Sequence, residues 1–308
     1  MRGFNKIKMK KSNCMMWALL LPGLIYILIF HYLPMFGLII AFKDYNSYLG
    51  IWQSPWADMH GLKHFYNFLT MPDFWRLIWN TLSLSLASLL FATIPPVAFA
   101  LLTNEIIGKR YKKFVQTVSY APYFVSVVVV VSMLFIFTDG ETGVINQILN
   151  MVGIDSIRFM ERADMFVGLF VASGVWQGLG WTSIIYVGTL ANTDQSLHEA
   201  AVLDGANRFQ RLIHINLPVV VPIMVIMLIM NVGNLLNIGF EKVYLMQTSG
   251  NLSASRIIST YIYEVSLKSN IPQFSYATAI GLFNSVVNII LLVITNTICK
   301  RKGDVSLW

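Results

Sequence analysis

Charge is scarce in this chain. Asp, Glu, Lys and Arg together supply 12% of its 308 residues, while 56% are hydrophobic and the mean hydropathy is +0.62. Soluble domains carry about 25% charged residues, so the shortage excludes an ordinary soluble fold. Cysteine is nearly absent as well. Cys14 and Cys299 lie just before the first long apolar run and at the end of the last, with no metal-ligand spacing and no disulfide framework. Cys14 follows Lys11-Ser12-Asn13 with no apolar segment upstream, unlike a lipoprotein cleavage site. The apolar run after it continues far beyond the short core of a signal peptide, so it reads as a retained span.

Catalytic signatures are missing too. Gly108-Lys109 lacks both the upstream glycine and the following Ser or Thr of a phosphate-binding loop. His198-Glu199 lacks the second histidine of a zinc-protease helix, and no Gly-x-Ser-x-Gly elbow occurs. No pair of carboxylates sits in a soluble region where it could act as acid and base. The expectation is a chain with no catalytic residues, no metal ligands and no cofactor of its own. The apolar runs hold almost no ionisable side chains, His31 being the main one. An ion-coupled carrier would show buried carboxylates or other polar ion sites, so the energy for any transport is expected from outside the chain.

What is present in abundance is membrane-length apolar sequence. A span needs about 20 mostly apolar residues. Six stretches qualify: Met16–Phe42, Leu77–Thr103, Phe114–Phe137, Met165–Leu190, Pro218–Phe240 and Tyr276–Cys299. His31 and Pro34 mark a kink or an early end in the first, and Pro95-Pro96 a bend in the second. Lys and Arg set the orientation. Fourteen lie on one side, in the N-terminal tail (Arg2, Lys6, Lys8, Lys10, Lys11), at 109–113, at Arg208 and Arg211, and at 300–302. Eight, among them Lys43, Arg158 and Lys242, are spread over the longer loops Lys43–Arg76, Thr138–Asp164 and Glu241–Ser275. Both termini are therefore expected in the cytoplasm, in a multi-pass membrane protein surrounded by lipid. The net charge of +7 is a consequence of topology, so no nucleic-acid partner is needed. The outer loops carry Trp52, Trp56, Trp75 and Tyr261, which suit an interfacial aromatic belt or a docking face for an extracellular partner.

One polar segment interrupts the apolar pattern. It holds Asp194, His198, Glu199, Asp204, Arg208, Arg211 and His214 between the fourth and fifth runs. Asp194 or Ser196 suits the start of a helix, Gly205 permits a sharp reversal, and Pro218 suits the first turn of the next helix. The expectation is a helix, a break at Gly205, a short second helix, and a turn into the membrane. Glu199, Ala200, Ala201, Gly205, Ile215, Leu217 and Pro218 together form a pattern of seven positions over twenty residues.

That pattern resembles the Glu-Ala-Ala loop of binding-protein-dependent ABC importer permeases, and Asp204-Gly205-Ala206 matches the form common in the carbohydrate-uptake class. The resemblance covers nearly the whole chain. It implies an all-α membrane protein of six transmembrane helices with the MetI-like permease fold. Residues 1–76 would form a basic tail, first span and external loop, 77–299 the transmembrane core with the coupling loop at 191–217, and 300–308 a cytoplasmic tail. Glu199, Ala200, Ala201, Asp204, Gly205, Ala206 and Arg208 would then contact an ABC ATPase dimer, which binds ATP and Mg. In the C-terminal third, Phe240-Glu241-Lys242-Val243-Tyr244, Ile258–Tyr263, Phe274–Phe283 and Leu307-Trp308 resemble the subgroup that handles complex oligosaccharides and polysaccharide fragments. Members of it work with a second, homologous permease subunit and an extracellular lipid-anchored or periplasmic sugar-binding protein.

Polar side chains inside spans are costly unless they face the bundle interior. Asn231, Asn234 and Asn237 recur every three residues within one helical arc, and Asn284 and Asn288 share a face of the last span. Trp176, Gln177, Trp181 and Tyr186 add stacking and hydrogen-bonding groups to the fourth. These nine line a candidate substrate pathway; interhelical hydrogen bonding is the competing use. Gly174 and Gly178 beside Gly180 suggest close helix packing. An ion-coupled secondary sugar carrier and a non-transporting scaffold or sensor are the rival functions.

Overall fold

A computed structural model describes residues 11–303 and 306–307. Arg2, Lys6, Lys8, Lys10 and Trp308 lie outside the described residues. The helices that matter below are α1 (Lys11–Ile27), α2 (Phe74–Asn104), α3 (Lys109–Tyr120), α4 (Val127–Phe137), α5 (Ala163–Ala191), α6 (Gln195–Leu203), α7 (Leu217–Val232), α8 (Phe240–Met246) and α9 (Phe274–Gly303). No strand occurs among the described residues; one isolated antiparallel bridge joins Lys43 and Trp56. Four helical stretches are long and apolar enough to cross a membrane, namely Met16–Phe42, Phe74–Asn104, Arg208–Val232 and Phe274–Arg301. The pair Lys109–Phe124 and Val127–Phe137 makes a fifth if the two count as one span. Helix α5 has 29 residues, about 43 Å at 1.5 Å per residue, and is interrupted in hydropathy by its Trp, Gln and Gly residues.

Proline sets the local geometry. In the first span the α-helix opens into a π turn over Leu28–Tyr32, just before Pro34, and ends as a 3-10 stretch over Phe36–Phe42. The same device recurs at Leu212–Asn216, just before Pro218. A proline ring clashes with the carbonyl four residues back, and a π turn gives that carbonyl room. Through Pro95 and Pro96, α2 continues without interruption. The single span expected over Phe114–Phe137 is instead bent by 97°. Pro122 ends α3 through a 3-10 turn, and the Ser126 hydroxyl accepts a hydrogen bond from the Val129 N–H, starting α4 afresh. The span expected over Pro218–Phe240 stops at Val232.

The described chain divides into two compact units. The first comprises Met1–Thr70 and Val265–Leu282. The loop after its first span is pinned by Lys43, whose buried ammonium donates to the Ile51 and Trp52 carbonyls at 3.0 and 2.8 Å and lies 5.3 Å from the Trp56 ring. Asp44 pairs with Lys63 and His64 at 3.0 and 3.1 Å, and Tyr45 N–H donates to Ser275 Oγ at 2.9 Å.

The second unit comprises Met71–Glu264 and Phe283–Trp308. Helices α2 and α5 form its spine. One apolar cluster joins Leu84, Val131, Phe166, Phe170, Val243 and Met246; a second joins Val97, Ala100, Leu101, Tyr186, Leu190 and Val220. The close approach expected near Gly174 and Gly178 occurs at Gly180, where any Cβ would overlap the Ser119 carbonyl of α3. Gly174 instead faces the Lys242 ammonium, and Gly178 meets only Thr182 of its own helix. The loops after α4 and α8 are held by buried asparagines. Asn146 donates to the Asp139 and Ile157 carbonyls, and Asn251 to those of Met160 and Met246.

Candidate functional site

The segment between α5 and α7 folds as a capped lever. Asp194 starts α6 by accepting from the Ser196 N–H at 2.9 Å. That hydrogen bond holds the Asp194 carboxyl below its usual range. Helix α6 ends in a Schellman motif: Ala206 N–H reaches the Ala201 carbonyl at 2.8 Å and Gly205 N–H the Val202 carbonyl at 3.0 Å, with Gly205 at φ +82°. Asn207 and Gln210 then form a reciprocal capping box at 2.8 and 2.9 Å that starts the short helix Arg208–Arg211. From there the backbone stays helical through the π turn and into α7. Between Arg208 and α7 no residue leaves the helical backbone.

Glu199, Ala200, Asp204, Gly205 and Arg208 are exposed, and Ala201 and Ala206 half-buried. Apolar side chains stand out among them: Leu203 is 88% and Phe209 69% exposed. Ala201, Asp204, Gly205, Ala206, Gln210 and His214 line a groove of about 310 Å³. Sequence reasoning missed the tie beneath the lever. Asn216, fully buried, donates through Nδ2 to Glu105 Oε1 at 3.1 Å, joining the start of α7 to the end of α2. Its signal was its place in Ile215-Asn216-Leu217-Pro218.

The nine pathway candidates separate. Helix α7 ends before Asn234 and Asn237, so the three asparagines do not share one helical arc. Asn231 and Asn234 are exposed. Asn284 donates to Asn237 Oδ1 at 2.6 Å, and Asn288 Oδ1 accepts from the Leu236 N–H at 3.1 Å. These last-span asparagines cap the broken end of α7. Gln177 donates to the Val125 carbonyl at 2.8 Å, supporting the bend between α3 and α4. Trp181 stacks on Tyr123 at 4.5 Å. Trp176 lines an apolar recess with Val130, Met133 and Phe137. Tyr186, 1% exposed, belongs to the second core cluster.

A cavity of about 240 Å³ opens beside α2 and α5, lined by Ser88, Phe91, Pro96, Phe170, Gln177 and Lys242 among others. Lys242, expected in a solvated outer loop, is instead folded inward on α8 and 8% exposed. Its burial was not legible because the turn that re-aims α8 follows the early end of α7.

An all-helical, multi-pass membrane protein with an ordered, capped lever between two long helices is the class these features define. Residues 96–302 match the family described as "Binding-protein-dependent transport system inner membrane component". The chain is 44% identical over 307 residues to Protein LplB of Bacillus subtilis (strain 168), spanning 100% of this chain and 95% of that one. It is 39% identical over 293 residues to the polygalacturonan/rhamnogalacturonan transport system permease protein YteP of the same organism, spanning 95% and 90%. Among solved structures it is similar to a chain of a bacterial alginate ABC transporter in complex with alginate pentasaccharide-bound periplasmic protein. There the TM-score is 0.87 at 35% identity, covering 96% of this chain and 98% of that one. The chain belongs to the family of inner membrane components of binding-protein-dependent transport systems, and its place is the membrane.

Proposed function

We propose that the chain is the permease subunit of an ATP-driven ABC importer that moves a sugar oligomer or polysaccharide fragment into the cytoplasm. A binding protein outside, periplasmic or lipid-anchored, delivers the sugar. A second, homologous permease completes the pathway, and an ATPase dimer that binds ATP and Mg drives it from inside. Both termini and the lever face the cytoplasm, as the bias of Lys and Arg requires.

The observation that carries this reading is the lever itself. Helix α6 is joined through the hydrogen-bonded Gly205 reversal and the Asn207 capping box to the Arg208–Arg211 turn, which runs helically into α7, so a displacement at Glu199 or Ala201 has a short, bonded route to a membrane helix. The exposed Leu203 and Phe209 give a soluble partner an apolar grip flanked by charge. Sugar as cargo is supported by the relatives, whose names specify polygalacturonan, rhamnogalacturonan and alginate.

The test is to solubilise membranes gently, purify this subunit and identify what accompanies it, then measure uptake of labelled oligosaccharide into ATP-loaded vesicles. Recovery of an ABC ATPase and a second permease, with ATP-dependent uptake, is expected. Transport by this chain alone, driven by an ion gradient, would instead establish a secondary carrier.

A further inference from the structure

Among the described residues, Lys242 is a buried cation without an anion. Its Nζ donates to the Phe170 carbonyl at 3.0 Å and lies 4.7 Å from the Phe170 ring, and a Cβ at Gly174 would meet it at 3.5 Å. An ammonium has three protons to give, and among the described residues this is its one hydrogen bond. Among the described residues no carboxylate pairs with it, although other basic residues of the same unit, such as Arg76, Arg158, Arg162 and Arg256, are so paired. Taking a charge out of water is costly unless an opposite charge and hydrogen bonds compensate. The compensation among the described residues is one carbonyl and one ring.

The ammonium stands in the wall of the cavity beside α2 and α5. That wall holds two further unspent polar groups. Ser88 Oγ is buried with no hydrogen-bond partner. Gln177 uses its Nε2 on the Val125 carbonyl, and its Oε1 is left to accept. Phe91, Pro96 and Phe170 supply apolar surface. At about 240 Å³ the space falls below the roughly 300 Å³ at which pockets for drug-sized ligands begin, so it suits one residue of a chain.

We propose that this cavity is a subsite for an acidic sugar residue, a uronate whose carboxylate pairs with Lys242. The Ser88 hydroxyl donates to the second carboxylate oxygen, and a ring hydroxyl donates to Gln177 Oε1. The C–H face of the sugar lies against Phe91. A neutral hexose of the same size leaves the ammonium uncompensated, so the subsite selects for charge. The inference rests on the sugar-import reading and adds which class of sugar this chain accepts.

The test uses the complete transporter with its binding protein in liposomes, and three labelled probes: trigalacturonate, its methyl ester and neutral galactotriose. Wild-type, Lys242→Met and Lys242→Arg are compared at matched subunit levels. The wild type is expected to import trigalacturonate. Lys242→Met loses at least about tenfold of that uptake, as when a buried charge pair loses one partner, and leaves methyl-ester uptake unchanged or raised. Lys242→Arg retains most of the trigalacturonate uptake. Wild-type import of galactotriose but not trigalacturonate overturns the proposal while the sugar-import reading stands. Equal loss on the acid and the ester makes Lys242 a structural residue and overturns it as well. Import of none of the three, under ATP hydrolysis, overturns the proposal and leaves the sugar reading to be decided by the uptake test above.

Discussion

Gly205 sits at φ +82°, and the space where a Cβ would stand is empty for 4 Å around. The constraint at this position is therefore conformational. An L-residue in the left-handed region costs about 1–2 kcal/mol, with asparagine the best tolerated. Gly205→Ala is expected to weaken the two Schellman hydrogen bonds and fray the lever. In reconstituted transporter it should raise ATP hydrolysed per sugar imported without changing the amount of inserted subunit, and Gly205→Asn should fall between Ala and wild type. Coupling in Gly205→Ala equal to wild type would show that the reversal is not part of transmission. This residue was legible in the sequence because a glycine ten positions before Ile215, inside a polar helix-forming segment, permits a sharp reversal there. Lys242 was not legible. A lone lysine near an expected loop reads as a topology charge, and its burial depends on the Phe170 ring and carbonyl, contributed by a helix 72 residues away in sequence.

At the scale of elements, helix positions followed apolar length closely, and helix ends did not. The expected spans at Leu77–Thr103, Met165–Leu190 and Tyr276–Cys299 correspond to α2, α5 and α9 within a few residues. Two others failed where hydropathy is indifferent to backbone. Pro122 and the Ser126 cap divide Phe114–Phe137, although both flanks are apolar. Helix α7 stops at Val232; the N–H groups of Gly233, Asn234, Leu235 and Asn237 close local turns, and that of Leu236 finds its partner on α9. Leu236 N–H is buried, and Asn288 Oδ1 accepts from it at 3.1 Å. Removing the acceptor leaves a buried donor unpaired, which costs about 1–3 kcal/mol. Asn288→Ala should accordingly lower the thermal midpoint of the purified subunit, whereas Asn231→Ala, at an exposed position, should leave it unchanged. Equal midpoints for the two would mean that Asn288 does not hold the end of α7.

For the whole molecule the unpaired surface decides what kind of object this is. The first span is 6% buried over its most apolar window, and Leu19, Phe30 and Phe36 are all more than half exposed. In water such a surface would be intolerable, and in lipid it costs nothing. The lever differs, because Leu203 and Phe209 are exposed beside Asp204 and Arg208. That charge keeps the segment out of hydrocarbon, and in the proposed function the ATPase covers its apolar side chains. Topology and partner can be read from one position. Leu203→Cys, in a background free of Cys14 and Cys299, should react with a membrane-impermeant maleimide only when the cytoplasmic face is open. Trp52→Cys, from the outer loop, should react from the opposite side. Adding the ATPase should then protect Leu203→Cys and leave Trp52→Cys unchanged. Labelling of both from one side would overturn the orientation. Leu203→Cys labelled equally with and without the ATPase would place the docking surface elsewhere, because a side chain 88% exposed at the centre of an interface cannot stay open when the interface closes.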